Sequence, residues 1–238
     1  MKIIYIIIAI ILLLGITTSP VNAATFSDNF DDGNADGWWL GYSLSFPSHN
    51  GNWRVENGEL VQDTGYDGVI ALVENQQFSD QTIETQLKVN GPSGGDGVLM
   101  WYKDDNNLVF VGVSGGAVGV SENNEGVWTG YSYDLTSFTF DTWYNLKVVV
   151  DSVNGNLDVY LDNSYLFTYP VSTLNRFGQS GVMNGNAGGY FDNFSITTPP
   201  TIEPLSDKDQ CKNDGWIIFN NPLFKNQGDC VSFLEKNK

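Results

Sequence analysis

Basic side chains and histidine are scarce in this 238-residue sequence: Lys and Arg number 11 against 28 Asp and Glu, for a formal net charge of −17 at pH 7. Nucleic acid is thereby excluded as a natural partner, as are anionic lipid head groups, because both need clustered cations that displace counterions. The one histidine, His49, would be the sole base for a Ser-His-Asp triad. It lies in the turn-like stretch Pro47-Ser48-His49-Asn50, and no G-x-S-x-G accompanies it. Two cysteines and one histidine cannot supply the four ligands of a structural zinc. Gly94-Gly95-Asp96-Gly97 lacks the lysine of a phosphate loop. There is no internal repeat, and beyond residue 16 no apolar run approaches the roughly 20 residues that cross a bilayer.

What is present begins with export. Lys2, an apolar run from Ile3 to Ile16 and the small-residue stretch Val21-Asn22-Ala23-Ala24 describe a secretory signal peptide over residues 1–23, cleaved after Ala23. The apolar run is too short for an anchor, so the expectation is a secreted, extracellular or cell-surface protein with no membrane insertion after cleavage. Cleavage removes Lys2 and no acid, leaving the mature chain still more acidic. In an exported chain the paired cysteines Cys211 and Cys230 predict a disulfide, worth about 3 kcal/mol in the chain-entropy account.

Residues 24–198 carry a β rhythm, with short alternating runs separated by Gly, Asn and Asp. Ile83, Thr85, Leu87 and Val89 alternate with Glu84, Gln86 and Lys88. Leu146, Val148 and Val150 repeat the period, as do Leu157, Val159 and Leu161. Asn57-Gly58 between Val55-Glu56 and Glu59-Leu60 is a hairpin signal. No stretch of this region holds a helical period, so the fold class is all-β, an antiparallel two-sheet sandwich around one core. A Pro-rich linker follows at 199–205. Residues 206–238 form a small appendix holding the two cysteines, with a final helical turn or two expected at Val231 to Lys236.

Several stretches resemble, in order, the bacterial concanavalin A-like (laminin-G-like) jelly-roll domains. They are Phe26-Ser27-Asp28-Asn29-Phe30-Asp31-Asp32-Gly33-Asn34-Ala35-Asp36-Gly37-Trp38, Trp53-Arg54-Val55-Glu56-Asn57-Gly58-Glu59-Leu60, Trp143-Tyr144-Asn145-Leu146-Lys147-Val148 with Val159-Tyr160-Leu161-Asp162, and Tyr190-Phe191-Asp192-Asn193-Phe194. The resemblance implies a jelly roll; it says little about activity, since that superfamily holds lectins, glucanases, lyases, sugar-binding modules and adhesins. The tail, Lys208-Asp209-Gln210-Cys211 with Gly228-Asp229-Cys230-Val231, resembles a short C-terminal motif of exported prokaryotic proteins. Attachment to cell-envelope components is one role for such a segment; a disulfide-stapled cap is the plainer one.

Asp32-Gly33-Asn34-Ala35-Asp36-Gly37 matches the first half of a D-x-N-x-D-G loop, whose alternate oxygen side chains suit Ca2+. The twelfth position falls at Ser43, so this is no EF-hand. In related jelly rolls a structural calcium often joins the first strand to the last, which makes Asp192 a separate candidate donor, for the same ion or a second one. The same residues also make ordinary metal-free turns.

For ligand binding, a four-residue turn at Asp104-Asp105-Asn106-Asn107 would pair Trp101 with Phe110 and Tyr102 with Val109. Val98, Met100, Tyr102, Val109, Val111 and Val113 then face the core, while Leu99, Trp101, Lys103, Leu108, Phe110 and Gly112 make an outward face too apolar for an ordinary wet surface. The aromatics Trp38, Trp39, Tyr42, Trp128, Tyr131 and Tyr133, expected in loops, are candidate walls. Flat aromatic plates beside Asn and Asp suit sugars, which present C–H faces and many hydroxyls.

Catalysis has less to build on. Glycosidases need two carboxyls roughly 5 to 9.5 Å apart, whereas Asp158 and Asp162 on one strand face stand about 13 Å apart. Glu56 and Glu59 meet across an exposed turn, and the acid-rich strand of the jelly-roll glucanases is missing. The reading is a secreted, non-catalytic, calcium-stabilised carbohydrate-binding module whose partner is a polysaccharide or glycan. The alternatives are a glycoside hydrolase of the same fold and a cell-surface structural or adhesive protein.

Overall fold

Alternation in the sequence is expressed as fifteen strands in a computed structural model. It describes residues 24–236 apart from 46, 64–65, 92–94, 174–175, 186–187, 200–207, 213–214 and 219–223. The expected signal peptide and all of the linker except Pro199 lie outside the described residues. In chain order the strands are β1 (Ala24–Asp28), β2 (Trp38–Ser43), β3 (Arg54–Glu56), β4 (Glu59–Gln62), β5 (Val69–Val73), β6 (Gln81–Val89), β7 (Gly95–Asp104) and β8 (Asn107–Ser114). They continue as β9 (Ala117–Asn124), β10 (Val127–Asp134), β11 (Trp143–Asp151), β12 (Asn156–Leu161), β13 (Ser164–Pro170), β14 (Gln179–Asn184) and β15 (Gly189–Thr197).

Two antiparallel sheets form a sandwich. The first runs β13-β12-β11-β6-β15-β4-β3, with β1 paired to β15; the second runs β10-β9-β8-β7-β14-β5-β2. Inward rows are set by cross-strand register. Leu146, Val148 and Val150 of β11 stand opposite Leu161, Val159 and Leu157 of β12, and Ile83 and Leu87 of β6 lie beside Ile196 and Phe191 of β15. All are buried in one cluster with Val98, Met100, Val109, Val111 and Val113 of the second sheet. A one-residue slip would turn such a strand's apolar set to solvent, which is why the register is held.

The Asn57-Gly58 turn has φ of 56° and 78°, the doubly left-handed geometry that suits the twist of a two-residue hairpin. β3 and β4 pair Glu56 with Glu59 on either side of it, as expected.

The hairpin of β7 and β8 departs from expectation. Asp104 pairs with Asn107, but Leu99 pairs with Phe110 and Met100 with Val109, so three residues of β7, 101–103, stand against Leu108 alone. This bulge is made at Trp101, which adopts φ 52°, a left-handed conformation rare for so large a side chain. The bulge turns Trp101 inward beside Met100 and gives its outward place to Tyr102. Burying an indole of 150–250 Å² offsets the backbone strain, at roughly 4–6 kcal/mol against about 1–3 kcal/mol. Gly178 makes the bulge possible from β14's side, since a Cβ there would stand 2.6 Å from the Trp101 carbonyl carbon.

Among the described residues two carboxylates, Asp96 and Glu122, are sealed in the sandwich. Asp96 of β7 is fully buried, accepts a hydrogen bond from Asn184 Nδ2, and fills space that Gly189 leaves open. Burial pushes its carboxyl well above the usual carboxylate range, the Asn184 bond opposing in part.

The C-terminal segment is organised separately around Cys211–Cys230, whose Cα atoms lie 5.9 Å apart. Cys211, Cys230 and Leu234 are buried, with Trp216, Phe224, Val231 and Phe233 packed on them. Its helix α1 (Gln227–Lys236) begins four residues before the expected Val231. The Asn226 carboxamide caps it by accepting the Asp229 N–H at 2.9 Å, while Asp229 Oδ2 accepts the Lys225 N–H at 3.3 Å.

Candidate functional site

The outward side chains of the second sheet make an apolar surface of their own. Ile70 and Leu72 of β5, Leu99 and Tyr102 of β7 and Leu108 of β8 are buried together, with Leu44, Phe110 and Met183 packed against them. They alternate along the strands with the residues of the main core, so a single sheet carries apolar rows on both sides.

Two aromatic rings lie flat on this face because glycine sits beneath each. A Cβ on Gly112 would come 2.2 Å from Phe110 Cζ, and one on Gly41 would come 2.3 Å from the six-membered ring of Trp39. The glycine two residues along the same strand face therefore lets the ring lie down on the backbone. Trp128 of β10 stands 53% exposed on the same face, in a cross-strand row with Asn123 and Leu108.

Two hollows open here. One of about 490 Å³ is lined by Leu44, Ser45, Asp67, Phe110, Ser121, Trp128 and Met183, with glycines 68, 95 and 185. The other, of about 350 Å³, is lined by Trp39, Leu72, Glu74, Asn75, Tyr102 and Gln179. Between them the hydroxyls of Tyr42 and Tyr102 donate to Asp105 at 3.2 and 2.9 Å. Burial, and after it the bonding to Tyr42 and Asp105, push the Tyr102 hydroxyl far above its ordinary value, so it remains a donor. Asp104, beside it, is held below the usual range chiefly by the Asn107 carboxamide, and its Oδ1 also accepts the Asn106 N–H.

Phe110 thus sits on the outward face as expected, whereas Trp39, Tyr42 and Trp128, expected in loops, stand on strands β2 and β10. Trp101 turns inward. Its indole is 1% exposed, packs in the core, and donates from Nε1 to the Ser79 carbonyl at 3.0 Å. The expected outward indole is corrected to a core residue, the bulge being the cause.

Tyr131 and Tyr133 are also corrected. They stand opposite the inward residues Val120 and Val118 and pack on Phe167 of β13, at 4.9 and 5.8 Å, across the open flank of the sandwich. Trp38 is a core residue, its Nε1 donating to Asp28 at 2.8 Å. Lys103 is exposed near the hairpin tip and lines neither hollow.

At the N-terminal loop, Asp32 Oδ1 accepts the Asn34 N–H at 3.1 Å and Asn34 Oδ1 accepts the Asp36 N–H at 2.8 Å, a pair of Asx turns. Asp32 and Asn193 line a common polar hollow with Asp28 and Asn29. Asp192 is raised by burial first, and then by the nearby carboxylates of Asp31, Glu59 and Asp28. Among the described residues no three Asp, Glu, His or Cys side chains converge as a metal-binding group, so Asp32, Asp36 and Asp192 are not one preformed carboxylate cage. Any hard cation here would draw on one or two carboxylates plus Asn and carbonyl oxygens, a donor set that Ca2+ accepts.

Glu56 is ion-paired with Arg54 at 2.9 Å, and Glu59 lies 3.6 Å from Lys88, both on the first sheet and away from the hollows.

No family model matches this chain, and no curated protein matches it. Solved structures share its architecture. The carbohydrate binding module CBM66 from Bacillus subtilis superposes with a TM-score of 0.58 at 18% identity, over 69% of this chain and 98% of that one. The laminarinase catalytic domain from Thermotoga maritima MSB8 gives 0.56 at 14%, over 74% and 98%. Xylan beta-1,4-xylosidase from Bacillus halodurans C-125 gives 0.54 at 14%, over 75% of this chain and 40% of that one. At such identities the likeness is one of fold.

Proposed function

We propose that this chain is an exported, non-catalytic carbohydrate-binding module of the concanavalin A-like jelly-roll type, taking glycan on the outward face of its second sheet. The supporting observation is the pair of glycine-bedded plates, Phe110 in the larger hollow with the exposed Trp128 and Trp39 in the smaller, on an apolar floor rimmed by Asp67, Ser121, Glu74, Asn75 and Gln179. Similarity of fold to a carbohydrate binding module and to two glycan-cleaving enzymes is in keeping with this.

One plate covering on the order of 100 Å² contributes about 2.5 kcal/mol. Millimolar affinity needs about 4 kcal/mol net, so Phe110 and Trp128 must act together, with hydrogen bonds from the rim. Among the described lining residues each hollow has a single carboxylate, Asp67 in one and Glu74 in the other. Binding therefore suits the face better than two-carboxylate hydrolysis.

Retention on a polysaccharide panel tests the reading. Phe110→Ala and Trp128→Ala should each weaken retention at least tenfold, the loss of about 1.4 kcal/mol or more. Absence of retention on every glycan, with and without calcium, would overturn it.

A structural Ca2+ at the Asp32-Asn34-Asp36 loop, with Asp192 as a further donor, belongs to the same proposal. Excess EDTA should then lower the melting temperature, and an unchanged curve removes the ion. Secretion and contact of the C-terminal segment with the cell envelope complete it.

A further inference from the structure

Tyr42 and Tyr102 stand on strands that are not neighbours. In the sheet β2 and β7 are separated by β5 and β14, three strand spacings or about 14 Å. Their hydroxyl oxygens nevertheless lie 3.5 Å apart, and both donate to the one carboxylate of Asp105. The two side chains therefore meet end to end above β5 and β14, pinned at their tips to the turn between β7 and β8. Trp39 braces the foot of this arch, edge-on to Tyr42 at 5.7 Å. Ile70, Leu72 and Leu99 are buried although they face away from the opposite sheet.

Among the described lining residues the two hollows share none, and of the arch Tyr102 lines the smaller. β14 gives Gln179 to one and Met183 to the other, four residues or about 13 Å apart along the strand. The larger hollow is shut on its β2 side by Leu44, whose N–H is bonded to the Gly68 carbonyl at 2.9 Å, and by Ser45. Trp128 of β10, 53% exposed, lines it from the opposite edge strand.

We propose that the Tyr42-Tyr102-Asp105 arch makes this face a receptor for glycan chain ends and short oligosaccharides and bars the interior of a long chain. The inference rests on the carbohydrate-binding reading above and adds its rule of selection. A chain laid along the strands from one hollow to the other would have to pass where the two phenols and Asp105 close over the floor. A chain end needs one hollow only, and Phe110 and Trp128 both line the larger.

The test takes a polysaccharide that the full chain retains, partly hydrolysed to a series of mean lengths and immobilised at equal mass. Bound protein at saturation should rise in proportion to the number of chain ends, and the same glycan in cyclic or end-blocked form should not be retained. Tyr42→Ala should bind long chains with the capacity per gram of short ones. Should that variant fail to fold, Tyr42→Phe, which loses the bond to Asp105 and keeps its ring beside Trp39, carries the same expectation to a smaller degree. Equal wild-type capacity per gram at all lengths overturns the proposal, as do folded Tyr42 variants that still count ends. Failure to retain any glycan is a different result, which removes the binding reading and the arch's role with it.

Discussion

The two faces of the second sheet are equally dry at their centres and differ in what keeps them so. On the inner side Val98, Met100, Trp101, Val109, Val111 and Val113 are sealed by a second sheet. On the outer side Ile70, Leu72, Leu99 and Leu108 are no more than 2% exposed, yet what packs on them is a set of single side chains, Tyr102, Leu44, Phe110 and Met183. Dryness alone therefore does not separate a core from a binding face. The distinction lies in the cover: a sheet closes a face completely, whereas separate side chains such as Phe110 and Met183 leave hollows between them that a ligand can enter.

That contrast can be broken most sharply at position 101. Trp101→Ala should cost roughly 3–5 kcal/mol, read as a lower urea midpoint, while the folded fraction keeps its glycan retention. A small loss of stability with lost retention would instead put the indole among the ligand contacts.

A second large effect tests the inner face by pH. Because Asp96 holds its proton in the folded state well above the ordinary carboxylate range, the unfolded chain releases that proton first as pH rises. The group's contribution is full below about pH 4, the unfolded value, and is lost as pH climbs through the folded one. Asp96→Asn, which imitates the protonated acid and can still pair with Asn184, should abolish this decline and melt above the wild type at alkaline pH. Parallel melting curves for the two proteins across pH 4 to 10 would contradict the assignment.

The smallest effect on stability belongs to the outer face. Trp128→Ala should leave the melting midpoint within about 0.5 kcal/mol of wild type while lowering glycan retention. A large stability loss there would erase the difference between the two faces.

Much of the first sheet could be read from the sequence because its strands obey one rule at a time. β6, β11 and β12 alternate without interruption, and Asn57-Gly58 declares its own turn. Of the outward row expected on β7 and β8, Leu99, Leu108 and Phe110 hold their places. Trp101 and Tyr102 exchange theirs, since a bulge adds residues to one strand and no local propensity announces a left-handed tryptophan. The error at Tyr131 and Tyr133 is of another kind: at an edge strand the inward side is half open, so aromatics pointing toward the core still show to solvent. A signal for the plates was available and went unused: Trp39-x-Gly41 and Phe110-x-Gly112 place glycine two residues beyond a ring on the same strand face. Tyr42 and Asp105 are 63 positions apart, and only the order of strands in the sheet brings them together.

Cys211 and Cys230 bond only to each other, and no free cysteine remains. The covalent cross-link therefore lies beyond the last strand, and no disulfide ties the two sheets to each other. A thiol reductant acts on the tail and leaves the sandwich untouched, so the two can be addressed independently within one chain.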